Sequence, residues 1–394
     1  MKRIIFLSVL FAIAMLSCSS GSDSESIPST PGGSDSDSVP TPVAARFLGG
    51  DVSMLPKYEA SGVVYRDSSG RSVDALQLFR QQQMNAMRVR LFVSPNGSNG
   101  VVQDFAYVKS LAHRIKNAGL RFMLDFHYSD TWADPERQIV PSAWSSLTPS
   151  QLEDKLYTYT RDVLSELKAE GLAPDIVQTG NEITYGMFYT SGHNMLSYQS
   201  TTGWEQFSRY MKSAVKACRE VCPSAKVVLH IERSGDKTSC LQFFNYMKYY
   251  GVDYDVIGLS YYPHWHGTLS TFSSVLTSLE STFRKEIMVC EFAYNYVWYP
   301  ADARYTASQI GYPATVEGQR AMTSALVDML RTHSLVSGLF WWFPEENESL
   351  GSSGDTALMG SWSNRGLFMN HTPDAWQRAG YALPALYELK RFLE

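Results

Sequence analysis

Positive charge is in short supply in this chain: 34 Lys and Arg face 39 Asp and Glu, for a formal net charge of −5. With no basic surface to offer, nucleic acid is excluded as an expected partner. Cysteine is also scarce, at five in 394 residues. Cys218 and Cys222 sit near a helix end, Cys240 lies downstream and Cys290 precedes Glu291. No second Cys pair or nearby His pair completes a zinc site. Spacing leaves the disulfide state of Cys218, Cys222 and Cys240 open, and Cys290 reads as a buried core thiol. No Gly-rich phosphate loop follows the first apolar run, which argues against an open dinucleotide-binding sheet. There is no H-E-x-x-H motif and no internal repeat. The apolar run at residues 4–16 is too short to span a bilayer as a permanent helix.

What is present begins with that run. Lys2 and Arg3 precede it, and it ends at Ser17-Cys18. A charged start, a short apolar stretch and a small residue before the cleavage point describe a secretory signal. The Cys directly after it resembles a bacterial lipoprotein signal. Residues 1–18 are therefore expected to be a signal peptide with Cys18 lipidated. The protein should then be exported and held by lipid at the bacterial outer membrane, on its surface or periplasmic face. Residues 19–44 are Ser, Asp, Gly, Pro and Thr with almost nothing apolar, and Asp23, Glu25, Asp35 and Asp37 add charge. Such a segment buries too little surface to offset its ordering entropy, so it reads as a tether. Residues 45–394 remain as one folded domain, expected to act as a monomer.

Within that domain apolar runs alternate with amphipathic stretches. Strands are expected at 47–53, 86–93, 121–127, 175–180, 226–231, 254–261, 286–291 and 338–343. Most are near-continuously apolar, as buried parallel strands should be. Phe105, Val108, Leu111, Ala112 and Ile115 recur at helical spacing between them, as do Met322, Leu326, Met329 and Leu330. A final helix is expected at 384–393. Eight such units predict a (β/α)8 TIM barrel, whose chemistry gathers where the strands end.

The strand ends carry Asp125-Phe126-His127, Asn181-Glu182, Tyr261-Tyr262-Pro263-His264-Trp265-His266, Cys290-Glu291 and Trp341-Trp342. A lone Glu at a strand end is usually a solvated surface residue. Two of them after strongly apolar strands, among His and aromatic side chains, suit glycosidic cleavage: one carboxyl protonates the leaving oxygen and the other works across the anomeric carbon. Asn181 is placed to meet a sugar 2-hydroxyl. The aromatic content of 13%, including 23 Tyr and nine Trp, suits stacking on sugar rings or a large core. Asp125, His127, His230, His264 and His266 could also assemble a metal site, but no tight ligand motif supports it. The histidines fit better as groups that bind sugar hydroxyls or orient the glutamates.

The segment from Asp125 through Phe126-His127-Tyr128-Ser129-Asp130-Thr131-Trp132-Ala133-Asp134 to Pro135 resembles the third-strand signature of glycoside hydrolase family 53, the endo-β-1,4-galactanases. Gly50-Asp51-Val52-Ser53, Asn85 to Arg90, Gly180 to Ile183 and Ser260 to Pro263 fall where that family has matching strand ends. The resemblance runs from about residue 46 to the C-terminus. It implies a retaining endo-acting enzyme on the β-1,4-galactan of type I arabinogalactan in pectin, with Glu182 as acid/base and Glu291 as nucleophile. It further implies that Asn181 meets the 2-hydroxyl and that Arg88 lies beneath the nucleophile. His127, Trp132, Tyr262 and Trp342 would line the cleft. Asp125, His230 and Trp265 complete the expected substrate-binding set.

Three departures from the family pattern stand out. Phe343 interrupts a Trp-Glu-Pro motif and is followed by the acidic Glu345, Glu346 and Glu348. His264 replaces a common Phe. The stretch Asn295 to Pro300 lacks the calcium-ligand spacing of some bacterial members. No cofactor or metal is therefore expected, with Asp355 and Asn364 as the residual calcium candidates. Related barrels of the same clan act on mannan or xylan, and a non-catalytic surface glycan-binding lipoprotein would lack one carboxylate; both carboxylates are present here.

Overall fold

A computed structural model of the chain describes residues 45–189, 194–348, 363–371 and 376–394. The signal and tether expected at 1–44, and Asp355, lie outside the described residues. Eight parallel strands close into a barrel. They are β1 (Phe47–Asp51), β2 (Ala86–Leu91), β3 (Arg121–Phe126), β4 (Ile176–Thr179), β5 (Lys226–Ile231), β6 (Val256–Tyr261), β7 (Glu286–Phe292) and β8 (Val336–Trp342). Closure is made by β8 alongside β1, with Phe47 opposite Gly338 and Asp51 opposite Trp342. The barrel expected from the alternating runs is thus observed. Several strands stop one or two residues short of the expected runs where the chain turns into the loops, whereas β7 continues to Phe292 and β8 begins earlier, at Val336.

The connecting helices follow from local signals. Phe105–Asn117 is capped by the Asp104 side chain, which accepts from Tyr107 N, and buries Val108, Leu111, Ala112 and Ile115. Pro149–Ala169 starts with a Thr148–Gln151 capping box. Val316–Arg331 buries Met322, Leu326 and Leu330, while Met329 is only partly covered. The C-terminal helix expected at 384–393 is an α-helix over Pro384–Glu388 that tightens into a 3₁₀ turn at Leu389–Leu393. One feature has no counterpart in the expected elements: a small sheet in which Val64–Arg66, Phe368–His371 and Trp376–Ala382 pair.

Side-chain alternation along the strands divides the barrel into two kinds of core. One set forms its own apolar plug: Phe47, Ala86, Met123, Ile176, Val228, Val256, Met288, Cys290 and Phe340, with every strand contributing. The outer faces pack on the helices in the main core. Because successive inward positions are two residues apart, the next inward residues after the plug are Arg88, Asp125, Gln178 and His230, all buried. The plug therefore supports a polar layer beneath the C-terminal mouth. Gly49 fits this tight geometry, since a Cβ there would lie 1.8 Å from the Ala86 carbonyl oxygen. Cys218, Cys222, Cys240 and Cys290 are free and buried, so the three cysteines of open state are thiols in this structure.

Candidate active site

Glu291 reaches the mouth by breaking the alternation. Along the β6–β7 ladder Leu259 pairs with Val289, but Ser260 pairs with Glu291, so Cys290 is the extra residue of a bulge. Such a bulge re-aims the side chain that follows it. Glu182 is aimed by backbone strain instead. Gly180 has φ +95° and Glu182 φ +46°, a left-handed conformation rarely taken by a non-glycine residue. A Cβ at Gly180 would also lie 2.6 Å from Ile183 Cγ2. Both glutamates line one cavity of about 620 Å³ at the barrel mouth.

Arg88 is the hub beneath them. It is 1% exposed, and its guanidinium pairs with Asp51 at 2.9 Å, Asp125 at 2.8 Å and Glu291 Oε1 at 3.0 Å. The same Nη2 donates to Asn181 Oδ1 at 2.8 Å, and Nε donates to Gln178 at 3.2 Å. Burial alone would lower the pKa of Arg88, but Asp125, Glu291 and Asp51 raise it above the ordinary value. Burial alone would likewise lift Asp125, yet Arg88 and His127 hold it below the usual carboxylate range. Gln178 ties the layer together by donating to Asp125 Oδ1 at 2.7 Å.

The two glutamates sit in different surroundings. Glu291 accepts from the Tyr262 hydroxyl at 2.7 Å in addition to its Arg88 contact. Burial pushes its pKa up, to about 7, while Arg88 and the Tyr262 hydrogen bond pull against that rise. Glu182 forms no ion pair among the described residues. It accepts from Ser260 Oγ at 2.6 Å, and Ser260 Oγ lies 2.9 Å from His230 Nε2. Burial, then the negative charges of Glu291 and Glu232, raise Glu182 well above the carboxylate range. His230 is held neutral, first by burial and then by Arg88. When the pair shares one proton, it resides on Glu182.

Of the expected substrate-binding residues, His127, Trp132, Asn181, Tyr262, Trp265 and Trp342 line the cavity. His127 is set by Asp125, 3.1 Å from Nε2, and by Ala133 N, which donates to Nδ1 at 3.2 Å. The rest of the expected set, Arg88, Asp125 and His230, is 0–1% exposed and outside the lining: Arg88 lies against Glu291, Asp125 against His127 and His230 against Ser260. His264 is also fully buried and does not join the lining. Asn364 Oδ1 accepts from Val297 N at 3.1 Å and Trp298 N at 3.2 Å, so it pins the loop after β7. Among the described residues no acidic, His and Cys group is arranged to hold a metal ion.

The structure also supplies lining residues that sequence reasoning passed over. Asp134 and Arg137 come from the loop after β3, and Glu232 and Arg233 follow β5. Glu232 was within reach of the alternation, two residues beyond His230, whereas Asp134 and Arg137 depend on an irregular loop. Phe343, where the family pattern has Glu, takes φ +61° and covers Arg90. The Arg90 guanidinium lies 4.4 Å from the Trp132 ring centroid and 4.9 Å from that of Phe343, and Nη1 pairs with Asp51 at 3.2 Å. An aromatic sandwich therefore backs the Trp132 wall.

Comparison with known proteins agrees with this geometry. Residues 47–386 match the description of Glycosyl hydrolase family 53. The chain is 37% identical over 309 residues to an uncharacterized protein of Niallia circulans, covering 76% of this chain and 84% of that one. It is 32% identical over 359 residues to an arabinogalactan endo-beta-1,4-galactanase of Cellvibrio japonicus, covering 87% and 90%. The solved catalytic domain of a family 53 protein of Ignisphaera aggregans superposes with TM-score 0.77 at 28% identity, covering 90% of this chain and 99% of that one.

Proposed function

The chain belongs to glycosyl hydrolase family 53, and from that premise we propose that it is a retaining endo-β-1,4-galactanase acting on the galactan of type I arabinogalactan. One observation carries the reading: two carboxyls face a single cavity, one held by Arg88 and Tyr262, the other in no ion pair among the described residues and bonded to Ser260. That asymmetry divides the labour of glycoside hydrolysis. Glu291 attacks the anomeric carbon as Glu182 gives its proton to the departing glycosidic oxygen, leaving a galactosyl ester on Glu291. Glu182, now ionised, takes a proton from water, which attacks the ester and restores the original anomeric configuration. Asn181, fixed on Arg88, meets the 2-hydroxyl, where hydrogen bonding strengthens as positive charge develops on the ring. Trp342 and Tyr262 stand edge to face at 6.4 Å and give the sugar apolar walls.

Release of reducing ends should be fastest on β-1,4-galactan, with short oligomers accumulating from internal cleavage. Preferential release from mannan or xylan would reassign the substrate while leaving the two carboxyl roles in place.

We also propose that the protein acts as a monomer, exported and anchored through Cys18. The support is the run of Lys2, Arg3, residues 4–16 and Ser17-Cys18. Since one acyl chain holds only weakly, more than one should be attached. Labelled fatty acid should enter the wild-type protein and not the Cys18→Ala variant; no label in the wild type would rule out the anchor.

A further inference from the structure

The active cavity does not end at the two glutamates. A second cavity of about 440 Å³ opens beside it, and the two share Glu232, Arg233, Trp265 and His266. Its far wall is made by Lys237, Arg304 and Tyr305. The walls are fixed to one another. Tyr305 N donates to the His264 carbonyl at 2.9 Å, joining the loop after β7 to the loop after β6. A Cβ on Gly235 would lie 2.3 Å from the His266 carbonyl oxygen, so the loop after β5 is packed against that same segment.

Charge in this arm is unbalanced once its carboxylates are accounted for. Glu232 accepts from Thr184 Oγ1 and pairs with Arg233 Nε at 3.0 Å. Asp236 is occupied in capping the helix Lys237–Tyr249, accepting from Ser239 N at 3.1 Å and Ser239 Oγ at 2.7 Å. Lys237 and Arg304 have no ion-pair partner among the described residues. His266 adds no charge: burial, then Arg233 and Arg304, push its pKa down to about 3. Two cations with no carboxylate partner among the described residues thus stand beside two aromatic rings, Trp265 and Tyr305, the Arg304 guanidinium 5.6 Å from the Tyr305 centroid, in a recess that shares a wall with a glycan-cleaving site. Aromatic faces stack on sugar rings, and a guanidinium or ammonium group recognises a carboxylate.

The arm's place also fixes which part of the chain it meets. Glu182 is bonded to Ser260 on β6 and lies near Glu232 after β5, whereas Glu291 leans on Arg88 of β2. The arm adjoins the Glu182 side of the pair, and a general acid stands on the leaving-group side of the bond it cleaves. We infer that this arm is a subsite for an anionic sugar, a uronic acid residue in the leaving-group portion of the substrate chain. The inference rests on the galactanase reading, and it adds a chemical class to a substrate whose β-1,4-galactosyl units are neutral.

The test is calorimetric binding of a galactosyl-galacturonic acid disaccharide and of its carboxyl-reduced, neutral counterpart. The wild type should bind the acidic form about tenfold more tightly, the lower end of what a hydrogen bond to a charged group contributes. In the double variant Arg304→Gln, Lys237→Gln the two ligands should bind alike. Both side chains are exposed, so the fold is not at risk. Equal binding by the wild type, or a preference that survives in the double variant, would overturn the assignment. A preference found together with no cleavage of neutral galactan would leave the subsite standing and count against the galactanase reading instead.

Discussion

Glu291→Ala should abolish turnover of every substrate, galactan and activated aryl galactosides alike, by about 10⁴-fold or more. The loss is independent of leaving group because the missing step is formation of the carbon–oxygen bond, and the other two carboxylates on Arg88, Asp51 and Asp125, are fully buried and outside the cavity lining. Shortening the side chain also removes the acceptor of the Tyr262 hydroxyl and one partner of Arg88, and opens room for a small anion beside a guanidinium. Added azide should therefore restore cleavage of an aryl galactoside and give the α-galactosyl azide. Substantial residual turnover, or a β-azide, would mean that the nucleophile lies elsewhere.

The second large effect belongs to Glu182, and it depends on the leaving group. Glu182→Ala should slow galactan cleavage by about 10²–10⁴-fold, the range that general acid catalysis supplies. On an aryl galactoside whose leaving group needs little protonation the first step should be nearly spared, so the galactosyl ester accumulates and a burst appears. Azide should then accelerate turnover and yield the β-galactosyl azide. The pH profile separates the two carboxyls. Glu291 must be ionised, and burial places it at about 7, so activity falls as pH drops below that value. Glu182 must be protonated, and its raised pKa carries the alkaline limb upward, with activity lost as pH climbs through it. Glu182→Ala should erase the alkaline limb and keep the acidic one. An unchanged alkaline limb would assign the proton to another group.

The barrel and the mouth were legible because both depend on local regularities. Each strand is an apolar run closed by a turn, and parallel strands need no long-range cue beyond that. Asn181-Glu182, His127 and Trp342 stand at strand ends, where a barrel collects its reactive groups. The layer beneath was less legible. Inward alternation puts Arg88, Asp125 and His230 one layer below the cavity, where Gln178 joins the three, Arg88 pairs with Glu291 and Ser260 links His230 to Glu182.

The small sheet was missed because Val64–Arg66 is three residues long and its partner, Trp376–Ala382, lies at the other end of the chain. Nothing local announces such a pairing. The acidic run after β8 held a similar surprise. Glu345, Glu346 and Glu348 are fully buried, whereas consecutive carboxylates usually mark a solvated surface. Tyr58 donates to Glu348 at 2.5 Å and Met54 N to Glu345 at 3.0 Å, so groups from the loop and helix after β1 receive two of the three, while Glu346 accepts from Glu348 N within the run at 2.7 Å. Tyr58 and Met54 sit about 290 residues earlier in the chain, beyond the reach of any pattern in the run itself.

In a retaining cleavage one carboxyl attacks and the other serves first as acid and then as base. Proton NMR of the first sugar released when the wild type cleaves β-1,4-galacto-oligosaccharides measures this directly, before mutarotation equilibrates the anomers. The β-anomer is expected as the first product. Release of the α-anomer would mean a single displacement by water, and would contradict both the galactosyl ester and the nucleophilic role of Glu291.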